Sequence, residues 1–134
     1  MSSEQSTQAL EILNDTNRPS LERETAVKQL ASNPTPAVID RLINALEDDD
    51  SSVRWTAASM LIEIGDPVLR PLLRCLVDKE DSTWLREGAY RVFHDTRSRR
   101  VQESTSEVVK ALKGLGSGVS TTEAAYKALM TLDA

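Results

Sequence analysis

The sequence predicts an all-α protein, a short right-handed α-solenoid of about four antiparallel helix pairs. Three observations carry that expectation. Apolar residues recur at helical spacing along the chain, and no stretch of five or more residues alternates apolar and polar in the β-branched manner of a strand. The pattern also repeats at about thirty residues. Val38, Ile39, Leu42, Ile43 and Leu46 form one stripe, and Val68, Leu69, Leu72, Leu73 and Leu76 form another 30 positions later. Each is followed by an acidic break, "EDDDSS" and "DKEDST", and then by a second helix. The second helices superimpose with a shift of 32: Val53-Arg54 on Leu85-Arg86, Ala57 on Ala89, Met60-Leu61 on Val92-Phe93. One pair cannot bury its own stripe, so neighbours stack in a row, with the second helix of each pair on the inner, concave side.

Taken in order, the first helix is expected at 6–15, with Leu10, Ile12 and Leu13 as its apolar residues; residues 1–5 are expected to be disordered. Helix 20–32 sets Glu22-Arg23 on Val53-Arg54, Ala26 on Ala57 and Leu30 on Leu61, a shift of 31. Helix 36–47 starts at Thr35-Pro36, a hydroxyl N-cap before a first-turn proline. Helix 51–64 carries Val53, Ala57, Leu61 and Ile64, and Gly65 supplies a left-handed end. Asp66-Pro67 opens helix 67–77 in the manner of Thr35-Pro36, and helix 82–95 follows. Residues 98–114 read as one helix, or as two with a fresh start at Ser104, where "STSE" has the form of a capping box. "GLGSG" (114–118) ends it loosely, and "STTE" (120–123) caps helix 121–132, whose Ala125 and Leu129 take the places of Ala57 and Leu61.

At 134 residues the chain is expected to be a single domain, burying roughly two-thirds of its unfolded surface. Hydrophobic residues are 40% and charged residues 28%, a globular balance, but aromatics are only 4%, so the core must be aliphatic. A net charge of −5 argues against nucleic acid and anionic membranes as partners. No apolar run approaches the ~18–20 residues of a membrane span, and "MSSEQSTQAL" lacks the layout of a signal peptide, so a cytoplasmic location is expected. One cysteine, Cys75, permits no internal disulfide, and one histidine, His94, argues against a zinc site or a His-based catalytic group. No metal, no cofactor and no enzymatic activity are expected.

Residues 53–67 resemble the HEAT-like repeat, in the variety found in phycobilisome bilin lyases and many small bacterial proteins. Val53-Arg54, Ala57-Ala58, Leu61 and Ile64-Gly65-Asp66 carry the likeness, with Leu72 and Leu76 in the next helix. Pro71 matches the bend that first helices of such repeats often carry. Leu85-Arg86 and Ala89 extend the match, which lapses where His94-Asp95-Thr96-Arg97 replaces the Ile-Gly-Asp turn. The resemblance implies that Arg54 and Arg86 are structural, bridging carbonyls or carboxylates such as Asp66 between layers. It also implies an alternative function, a bilin lyase or lyase accessory whose pocket would use Arg86, Arg91 and Trp55.

The inner face carries the clearest functional signal. Three second helices hold a Glu-to-Lys/Arg pair four residues apart, Glu24/Lys28, Glu87/Arg91 and Glu123/Lys127, whereas the second repeat has Trp55/Ser59 with Ile62 one turn on. An indole where neighbours show salt bridges fits a partner-binding hot spot, and it fits equally an indole folded over the next layer. The expected partner is another protein, contacting Trp55, Ser59, Ile62, Tyr90, Arg91 and His94. Arg97, Arg99 and Arg100 form a secondary basic patch that reads as a solvated turn or as a site steering an acidic partner. Trp84 reads as a packed staple or a second anchor. A third reading makes the chain a homo-oligomeric subunit, paired through Leu129, Met130 and Leu132; monomer or weak homodimer is expected.

Overall fold

In the computed structural model residues 2–114 and 118–133 are described, and every regular element among them is helical. The helices are α1 Ser3–Asn14, α2 Ser20–Ala31, α3 Pro36–Asn44, α4 Ser51–Ile64, α5 Leu69–Asp78, α6 Thr83–Asp95, α7 Arg99–Ser104, α8 Ser106–Lys113 and α9 Gly118–Asp133. Single 3-10 turns follow α3 (45–47) and precede α5 (66–68). The chain divides into two compact units that meet in sequence between Ile64 and Gly65.

The first unit holds two helix pairs, α1/α2 and α3/α4, with the second helix of one pair lying on the second helix of the other. Ala26 and Leu30 of α2 and Ala57 and Leu61 of α4, residues matched in the sequence register, are all buried. Their small-then-large alternation lets α2 and α4 approach closely while Leu13, Leu42, Ile43 and Leu46 fill the layer behind. α1 starts at Ser3, ahead of expectation, because Ser2 and Gln5 form a reciprocal capping box that organises residues expected to be disordered. Thr35 caps α3 as expected, its hydroxyl accepting from Val38 N–H at 3.2 Å.

In the second unit Leu69, Leu72, Leu73 and Leu76 of α5 are buried, and Leu85, Ala89, Val92 and Phe93 of α6 complete the aliphatic centre around the chain's one phenylalanine. α8 packs on α6, and α9 packs on α8 and, most extensively, on α5. α9 runs antiparallel to α5: Arg70 donates to Leu132 O at 3.1 Å near one end, and Thr122 Oγ1 donates to Leu76 O at 3.2 Å near the other. The last helix therefore takes a first-type helix as its main neighbour, where the repeat register would stack it on another second helix.

Several local expectations are corrected. Asp66 does not cap α5; the 3-10 turn intervenes, and the Asp66 carboxylate instead accepts from Ser98 Oγ. Pro71 consequently falls in the first turn of α5, where a missing N–H costs nothing. Gly65 has the positive φ expected, 81°, but its ψ of −129° lies outside the left-handed helical basin. Residues 98–114 do form two helices, broken at Thr105, whose φ is −115° and whose hydroxyl turns back to Val101 O at 2.7 Å. "STSE" is therefore no capping box, and "STTE" lies inside α9 rather than at its start. Gly114 has an ordinary negative φ of −73°, and residues 115–117 of "GLGSG" lie outside the described residues.

Gly118 opens α9 at a point where nothing larger fits. A Cβ there would lie 1.8 Å from Glu80 O, the carbonyl that accepts from Arg86 Nη1. The α9 start is thus pressed onto the acidic turn before α6.

Candidate functional site

On α4, burial of Val53, Thr56, Ala57, Ala58 and Leu61 leaves Trp55 on the outer side, 64% exposed. Ser59 and Ile62 are half-buried one and two turns on, and Ser59 Oγ donates to Trp55 O at 3.1 Å. Thr56 Oγ1, beside the indole, lies 3.2 Å from Glu24 Oε1 of α2 and 2.8 Å from Ser52 O, its one proton shared between the two acceptors. Glu24 is therefore engaged across the helix pair.

The start of α4 is fastened by a polar network. Arg23, 3% exposed, donates to both carboxylate oxygens of Asp48 (2.9 and 2.7 Å) and twice to Leu13 O (3.1 and 2.7 Å). Asp48 also accepts from Asp50 N–H at 2.9 Å. Asp50 in turn accepts from Ser52 N–H at 2.9 Å, in the first turn of α4, and from Ser20 Oγ at the start of α2. Four of the five N–H donors of the Arg23 fork meet an acceptor, and its charge meets a carboxylate, which is the condition for burying it.

The titration of these groups follows from the contacts. The hydrogen bonds it donates to Asp48 raise Arg23 above its ordinary value against the opposing effect of burial. Burial by itself would push the Asp48 carboxyl up, but hydrogen bonds from Arg23 and Asp50 N–H outweigh it and hold Asp48 below the usual carboxylate range. Asp50 is held low by the Ser20 hydroxyl first, then by the N–H groups of Ser52 and Val53.

Arg54 and Arg86 were expected to bridge layers through groups such as Asp66. Each reaches back to a carbonyl in its own preceding turn: Arg54 to Asp48 O (2.6 Å) and Asp49 O (3.3 Å), Arg86 to Glu80 O. Arg23, in register with both, does the same with Leu13 O. α2, α4 and α6 thus each use one arginine to bond a carbonyl of the segment that precedes the helix.

On α6, Tyr90 and Arg91 are half-buried and His94 is exposed. The Tyr90 and His94 rings stack with centroids 5.2 Å apart and planes 28° apart, one helical turn from each other. His94 Nδ1 lies 2.8 Å from Asp95 Oδ1, and Arg91 Nε lies 3.9 Å from Asp95 Oδ2. Asp95, read in the sequence only as part of the turn that replaces Ile-Gly-Asp, therefore gathers the polar ends of this face. Of the repeated Glu-to-Lys/Arg pairs, Glu123/Lys127 is formed, at 3.7 Å.

Arg97, Arg99 and Arg100 are exposed where α7 begins, and Arg99 pairs with Glu103 at 2.9 Å. Trp84 is 39% exposed in the first turn of α6, and Cys75 is half-buried on α5. Among the described residues no three His, Cys, Asp or Glu side chains gather as a metal site, and no helix is long and apolar enough to cross a membrane.

A family model described as HEAT repeats matches residues 6–93, most of α1 through Phe93 of α6. No curated protein and no solved structure gives a significant match.

Proposed function

This chain belongs to the HEAT repeat family, and we propose that it is a non-catalytic module binding another protein through the Trp55 face of α4. The Tyr90, Arg91 and His94 face of α6 serves as a further contact. Repeats of this family are generally protein-interaction scaffolds and typically carry no catalysis. The observation that carries the reading is the indole itself. In a chain with 4% aromatics, Trp55 is 64% exposed on a helix whose opposite side is fully packed. An exposed indole costs solvation in the free protein and offers large apolar area to a partner. α4 is anchored at its start by Asp50 and Asp48, so little ordering cost remains when the ring is covered.

The test is affinity capture from native lysate with wild type, Trp55→Ala and Arg91→Glu, read by quantitative mass spectrometry. A partner enriched by wild type and lost with Trp55→Ala is expected. Equal enrichment by all three proteins sinks the reading.

A further inference from the structure

Val119, Tyr126 and Met130 of α9 are 62%, 55% and 57% exposed. At 3.6 residues per turn they fall within about 40° of one another, so they form one apolar ridge along the helix. Beside the ridge runs a groove of about 600 Å³ between α7–α8 and α9, whose α9 wall holds Glu123, Lys127 and Leu132 as well as the smaller Ser120, Ala124 and Thr131. Glu123 and Lys127, ion-paired at 3.7 Å, lie on the strip between ridge and groove.

This face is complementary to its own reverse. A two-fold axis level with Ala125 sets each residue opposite the one equally far beyond that point. An antiparallel two-fold keeps the same flank of each helix together, so ridge lies along ridge: Tyr126 packs against Tyr126 of the second copy, and Met130 against Val119, twice by symmetry. The same register sets Glu123 opposite Lys127 of the second copy, twice by symmetry, whereas a parallel arrangement would set like charges side by side. We propose that a second copy of this chain docks antiparallel along α9, ridge along ridge, on a helix other than the one that carries Trp55. The arrangement is isologous and closes at two copies.

Sedimentation from low micromolar to submillimolar protein tests this. Wild type is expected to dimerise. Tyr126→Glu and Met130→Glu replace exposed side chains, leave the helical circular dichroism unchanged, and weaken the dimer by about tenfold or more. Glu123→Lys and Lys127→Glu each weaken it, and the double swap restores it, because like charges then face opposite ones again. Trp55→Ala leaves it intact, which separates this surface from the proposed partner face. A wild type that stays monomeric throughout overturns the proposal, as does a dimer indifferent to Tyr126→Glu and Met130→Glu. A double swap that fails to restore association overturns the antiparallel register. A monomer whose ridge is covered by a different protein overturns the choice of a second copy.

Discussion

Arg23 and Asp48 lie 25 residues apart in sequence and meet through two parallel hydrogen bonds of 2.9 and 2.7 Å, with the arginine 3% exposed. The pair joins α2 to the turn before α4, and the same guanidinium holds the last turn of α1 through Leu13 O. Removing one member strands the other beneath the surface, which in such pairs costs about 3 kcal/mol. Arg23→Ala or Asp48→Ala should each lower the urea midpoint of unfolding accordingly, whereas Arg99→Ala, at an exposed pair, should move it by less than about 0.5 kcal/mol.

Asp48 and Asp50 give the protein an acid sensitivity whose sign is determined. Both carboxyls titrate below their ordinary value in the folded chain. Their stabilisation is therefore present above the unfolded pKa of about 3.9 and is lost as pH falls through the lower folded values. Melting temperatures measured downward from neutral pH should hold until about pH 4 and then drop. Asp50→Asn should start lower and fall less steeply.

Gly118 is the position of closest backbone approach. Gly118→Ala must displace either Glu80 O or the start of α9, at a cost of about 1–3 kcal/mol. Gly114→Ala meets only Lys110 O at 3.4 Å with an ordinary φ, and should be neutral or slightly stabilising. Thermal melts of the two variants side by side decide the point.

Thr121 contributes a buried hydroxyl, 1% exposed, with no hydrogen-bond partner among the described residues. Replacing that hydroxyl by a methyl removes an uncompensated desolvation cost. Thr121→Val should therefore stabilise the protein by about 1 kcal/mol, read from chemical denaturation. Thr105→Val, by contrast, deletes a made bond to Val101 O and should destabilise.

Trp55→Ala should leave stability within about 0.5 kcal/mol of wild type, because the ring is mostly in water. A matched pair of denaturation curves makes any loss of partner binding attributable to the surface and not to unfolding.

Helix identity, the register of α2 on α4 and the aliphatic core were legible in the sequence because each rests on local spacing. A stripe such as Val38, Ile39, Leu42, Ile43 and Leu46 can be buried only by a helix, and the repetition of Ala26/Leu30 as Ala57/Leu61 marks two helices of one kind. Trp55 stood out for the same reason: a repeat defines what each position should hold. Arg23 was in register with Arg54 and Arg86, yet its importance was not legible, because only the fold brings Asp48 and Leu13 O to one guanidinium. The neighbours of α9 were equally hidden. Ala125 and Leu129 match a second helix in spacing, but spacing says that a face must be covered and never by which helix. Capping at Thr35 could be foretold from a hydroxyl beside a proline and an apolar run, while Asp66, Ser104 and Ser120 had the same look and other partners or places. Local periodicity is set by the geometry of one helix, and the sequence by itself determined that much; the choice among competing contacts is made by long-range packing, which only the tertiary structure decided.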